Sequence, residues 1–159
     1  MRSLTTAEAR LLGESRTAVL ATIDPAGRPR LMPICFAVGR GGNSSPAIYT
    51  PIDDKPKISP EPHRLARVRD IAARPEVSLL VQHWDEDWTR LAWLRLRGTA
   101  ELVEPDDPAG AIEHADAIAA LRAKYAQYAD HDLEARPLIR IRVVEASSWS
   151  GLADDPERG

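Results

Sequence analysis

The stretch from Thr17 to Val38 constrains the chain more than any other. Thr17 to Ile23 is an apolar, β-branched run, and Asp24-Pro25-Ala26-Gly27 follows with proline at the second turn position and glycine at the fourth. Arg28 to Val38 then returns as a second extended run. Such a hairpin commits this end of the chain to antiparallel pairing. Pro29 and Pro33 lie in the returning run and cannot donate to a ladder, so that strand is expected at a sheet edge or interrupted.

The remaining periodicities agree with this start. Ala47 to Thr50, Val77 to Gln82, Leu91 to Val103 and Leu138 to Val144 read as strands, the last alternating Ile139, Ile141 and Val143 against Arg140 and Arg142. Gly98 marks a bulge or bend in the long fifth strand. Three helices are expected. The first covers 5–14, opened by a capping box on Thr5 and Glu8. The second starts at Ser59 and Pro60 and stops at Arg74, before Pro75. The third runs from Asp107-Pro108 to about Asp130, with Ile118, Leu121, Tyr125 and Tyr128 along one side. Antiparallel strands joined by short turns predict a mainly β fold, a six-stranded barrel decorated by about three helices, instead of alternating βαβ units. One domain over 1–151 and a C-terminal tail over 152–159 are expected.

Composition removes several function classes. Net charge is −3 and the pI about 5.8, which gives nucleic acid no global attraction. No apolar run reaches the ~18 residues of a membrane span, and the first residues lead into a charged helical pattern, so neither a membrane partner nor a secretory leader is expected and the location is read as cytoplasmic. Cys35, the single cysteine, excludes an internal disulfide and reads as packed. His63, His83, His114 and His131 are scattered without metal-ligand spacing, and Asp85-Glu86-Asp87 reads as a solvated turn, so no metal is expected. The scattered glycines from Gly39 to Pro46 read as a turn, not a phosphate cradle. No catalytic side chain identifies itself.

The segment Asp53-Asp54-Lys55-Pro56-Lys57 is more informative. It follows a strand, precedes a helix, and carries two lysines two residues apart. Extended geometry at Pro56 would send both amines to one side as a clamp for a phosphate, while a solvated charged loop is the plainer alternative. Read together, the segment from Gly27 to Phe36, then Ile48-Tyr49-Thr50, then Asp53 to Lys57 resemble the pyridoxamine-phosphate-oxidase-like flavin split β-barrels. Within them, the lysine segment, the stretch Arg64 to Ile71 and the stretch from Glu86 through Trp88 to Trp93 are most similar to the coenzyme F420-dependent branch. The likeness covers about 5–151.

The resemblance implies a homodimer with two cofactor sites at its interface, each ring lying against the second strand. Carried over by position, Met32, Pro33 and Ile34 would line the ring, Thr50 would sit near the cofactor's polar side chain, and Lys55 and Lys57 would meet its phosphate. Trp149, within Ser148 to Gly151, resembles a family tryptophan that reaches the ring bound by the other subunit, with core packing as its alternative. The arginine-rich phosphate signature and long C-terminal extension of the vitamin B6 oxidases are missing, so that activity is not implied. Arg64 and Arg67, one turn apart, face either solvent or an acidic cofactor tail. Trp84, Trp88 and Trp93 suit a pocket for a conjugated substrate, Trp88 first among them, or else a core or interface. The expected reaction is hydride transfer between F420 and a conjugated small molecule. An FMN enzyme on the same fold, or a non-catalytic dimer binding flavin or haem, are the alternatives.

Overall fold

The computed structural model describes residues 3–40, 46–53 and 61–150. Its strands are β1 (Ala18–Ile23), β2 (Pro29–Ile34), β3 (Ala37–Arg40), β4 (Pro46–Pro51), β5 (Glu76–His83), β6 (Ala92–Val103) and β7 (Leu138–Ser150). They form one antiparallel sheet in the order β2-β1-β5-β6-β7-β4-β3. The expected six strands are therefore seven among the described residues. The returning strand of the first hairpin breaks after Ile34, and its two halves go to opposite edges of the sheet. Only Cys35 and Phe36 separate them, a link that spans at most about 11 Å. The sheet must curl until its edges approach, and the ladder between β2 and β3 stays open.

A side chain remote in sequence explains the break. The Tyr125 hydroxyl accepts the Phe36 N–H at 3.0 Å and donates to the Arg16 carbonyl at 2.8 Å, so the link's backbone is satisfied without a strand partner. Tyr125→Phe leaves both groups short of this partner in a buried place. The expected cost is about 1–3 kcal/mol, read as a lower urea midpoint with an unchanged denaturant slope.

The β1–β2 turn forms as its residues require. Gly27 takes φ 81°, a left-handed conformation that favours glycine, and donates its N–H to the Asp24 carbonyl at 2.9 Å. The Asp24 carboxylate takes the N–H groups of Ala26 and Arg28, both at 2.9 Å. Helix α1 (Thr6–Glu14) carries the capping box expected at Thr5, with Glu8 reaching back to the Thr5 N–H at 2.9 Å. Helix α2 (Ala66–Ala73) follows a 3-10 turn at Pro62–Arg64 and ends at Arg74. Ser59 and Pro60 lie outside the described residues. Helix α3 (Ala111–Lys124) is shorter than its pattern at both ends. At its start Asp107 takes the N–H of Ala109 on its carboxylate and that of Gly110 on its carbonyl, which builds a turn there. Beyond Lys124, Tyr125 is extended, and a 3-10 segment spans Ala126–Asp130.

Two cores result. The sheet's inner face packs Leu20, Ile48, Leu79, Leu94 and Ile139 against Leu12 of α1 and Val68 of α2. On the outer face, Tyr49, Val103 and Leu138 pack against Ile118 and Leu121 of α3. A polar pin fixes α3: Glu113 accepts from the Tyr49 hydroxyl at 2.5 Å and from Arg140. Burial pushes the Glu113 carboxyl up, but the bonds from Arg140 and Tyr49 outweigh it and hold it below its ordinary value of 4.5. A depressed carboxylate adds stability above its unfolded value and loses it as pH falls. The stability gap between wild type and Glu113→Gln should therefore narrow on acidification below that value, as chemical denaturation at a series of pH values would show.

Candidate functional site

The edge strand β2 is the first element of the site. Among the described residues β2 pairs only with β1, so most of its side chains stay open where those of inner strands are covered. Leu31 is 66% exposed and Met32 36%, Pro33 is exposed, and Ile34 is buried. Met32 pairs with the fully buried Leu20 and so belongs to the inner face, but at the edge that looks across the open ladder. Pro33 lacks a donor, which an edge strand tolerates. The reading of β2 as an edge strand holds, but the strand runs through Pro29 and Pro33 and breaks only after Ile34, at Cys35 and Phe36.

Helix α2 is docked beside this edge by one buried carboxylate. Asp70 accepts from Thr22 of β1 and from Arg30 of β2, both at 2.8 Å. One turn before it, Arg67 behaves differently from its neighbour Arg64, which lies open to solvent. The Arg67 Nε is buried without a hydrogen-bond partner among the described residues. Burial holds its guanidinium below its ordinary value against the opposing pull of Asp53. Asp53 itself is buried and accepts from the Tyr128 hydroxyl at 3.0 Å. A buried guanidinium nitrogen without a partner among the described residues, one turn from the carboxylate that ties α2 to the edge strand, is a ready seat for an anion. The sequence offered Arg67 only as one of two arginines on a helix face. Asp70, which orients the helix, has only a faint signal in the sequence, a lone acid among arginines.

The other expected site residues lie as follows. Thr50 is buried on β4, opposite Ile139. Lys55 and Lys57 lie outside the described residues. Trp149 is on β7, directly across from Trp93 of β6, and is 41% exposed. Trp88 stands on a 3-10 turn, Trp88–Arg90, and is 69% exposed. Pro33 and Leu80 both flank Val19 across the sheet, and with Leu31, Trp93 and Trp149 they are exposed apolar residues on the outer face, where Arg95 lies opposite Leu80 and Gln82 opposite Trp93. Among the described residues no group of histidine, cysteine and acidic side chains could hold a metal, and no helix is long and apolar enough to cross a membrane.

A family model described as pyridoxamine 5'-phosphate oxidase matches residues 4–150. Among solved structures, a conserved hypothetical protein from Mycobacterium tuberculosis is 20% identical, with a TM-score of 0.67 over 95% of this chain and 91% of that one. A FAD-binding protein from Mesorhizobium loti is 20% identical, with a TM-score of 0.62 over 92% and 95% of the two chains. A structure described as an F420 reductase is 23% identical, with a TM-score of 0.59 over 91% and 98%. At these identities the structures establish the shared fold. No curated protein matches the chain.

Proposed function

The chain belongs to the pyridoxamine 5'-phosphate oxidase family, and from that premise we propose that it is an oxidoreductase dependent on the deazaflavin coenzyme F420, working as a homodimer with the cofactor between subunits. The observation that carries the reading is the buried Nε of Arg67, unpartnered among the described residues, one turn from the Asp70 that ties α2 to Arg30 of β2. It suits a planar ring with an anionic tail. Met32, Pro33 and Ile34 line the ring, Thr50 meets its polar chain, and Arg67 joins Lys55 and Lys57 in holding the phosphate. Bound there, the deazaflavin supplies hydride transfer to or from a conjugated small molecule.

The chain's own contribution is to bind, orient and exclude water. The exposed outer-face residues Leu31, Leu80, Trp93 and Trp149 suit burial against a second copy, which would bring Trp149 to the ring held by that copy. Trp88 would take part in the substrate pocket. The likeness to a FAD-binding protein supports a second reading, FMN in the same seat, because the same cations neutralise either phosphate.

Titration of the purified protein with F420 and with FMN separates the two. F420 is expected to bind and FMN to bind weakly, with Lys55→Ala and Lys57→Ala each weakening F420 by about ten-fold or more. Binding of FMN alone would favour the flavin reading, and binding of neither would overturn both.

A further inference from the structure

Only three of the chain's basic side chains are lysines, and one of them, Lys124, takes no part in the site proposed above. It is the last residue of α3. Its Nζ lies 3.8 Å from the centroid of the Phe36 ring and 5.5 Å from that of Tyr125. The guanidinium of Arg16 stacks on the same Tyr125 ring at 4.7 Å. Lys124 borders an open groove of about 440 Å³ whose other walls are Gly13, Ala37, Val38, Ala120 and Ala123. Every wall but Val38 and Lys124 is glycine or alanine, which leaves room beside the amine for a group of a few carbons.

The groups facing the amine are Arg16, the Cys35 thiol and the two rings, and among the described residues no carboxylate pairs with it. Burial first, and Arg16 second, bring Lys124 down to about 8, against a smaller pull from Cys35. Near that pH half of the amine is neutral and nucleophilic, whereas an ordinary lysine offers less than about one per cent.

We propose that Lys124 is an acylation site that takes a small acyl group from an acyl phosphate. The neutral amine attacks the acyl carbon, the N–C bond forms as the C–O bond to phosphate breaks, phosphate leaves with that electron pair, and the amine's proton passes to solvent. Nothing is oxidised or reduced. Arg16 supplies a cation beside the leaving phosphate, which favours this donor over a neutral thioester. The amide product is uncharged, so the cation held on the Phe36 ring is lost.

The test is acetylation of the intact chain by acetyl phosphate, followed site by site with peptide mass spectrometry. Lys124 is expected to react about five-fold or more faster in the folded protein than in urea, because only the fold lowers its proton affinity. Its folded rate should rise with pH to an inflection near 8. Faster reaction in the unfolded chain would overturn the proposal. Arg16→Gln should reduce the ratio of acetyl phosphate to neutral thioester rates by about three-fold or more. An unchanged ratio would overturn the choice of donor.

Discussion

An alanine at position 98 is expected to cost the protein a large part of its stability. At Arg97/Gly98 the β6–β7 register shifts, so that Arg97 faces Glu145 while Gly98 faces Val143, leaving Val144 as the extra residue. Here the strands approach too closely for any side chain. A β-carbon on Gly98 would collide with the Arg142 carbonyl oxygen and lie 3.0 Å from its carbon, both backbone atoms in the middle of the longest ladder. Backbone cannot swing aside as a side chain can. The strands must part or the bulge must move, at about 3 kcal/mol or more, a fall of roughly 6–12 °C in Tm for a chain of this size. Gly13 is the contrast: a β-carbon added there would find nothing within 4 Å, and the residue sits inside α1. Gly13→Ala should stabilise by about 0.5–1 kcal/mol. Thermal melts of the two variants should move in opposite directions.

Arg67→Met should separate binding from folding. Without a ligand, the buried Nε of Arg67 carries a desolvation cost that the pull of Asp53 offsets only in part. Methionine keeps much of the length and apolar contact while removing that cost. The ligand-free variant should therefore melt at or above the wild-type temperature. Its affinity for F420 should fall by about ten-fold to a hundred-fold, because a charge-assisted contact to the anionic tail is gone. Arg67→Lys should recover part of that loss, since an ammonium restores charge but not the planar fork. A variant that loses stability and keeps its affinity would assign Arg67 to packing instead.

Local chemistry was legible in the sequence, and long-range capture was not. Asp24-Pro25-Ala26-Gly27 forms the turn its residue types demand, Thr5 and Glu8 form their capping box, and Gly98 marks the bulge. Each involves residues within a few positions of one another or a backbone constraint that one residue type meets. The split of the second strand depends on Tyr125, 89 residues from Phe36, and nothing between Arg28 and Val38 announces it. Tyr125 read as one more apolar position on a helix that in fact ends a residue earlier. The last strand runs on to Ser150 because Ala92 to Arg95 pair with Ser147 to Ser150, a match that the serines' weak strand preference hides. In the site, the open edge followed from Pro29 and Pro33. The buried nitrogen of Arg67 did not, since it depends on the docking of α2 through Asp70 and on the break at Leu65 that leaves Arg64 on a separate 3-10 turn.

Sedimentation velocity followed at the absorbance of F420 tests the central claim most directly. The account predicts one coloured boundary at twice the chain mass, saturating at one cofactor per chain. A protein boundary at the mass of a single chain, or one that stays colourless with the cofactor in excess, would contradict it.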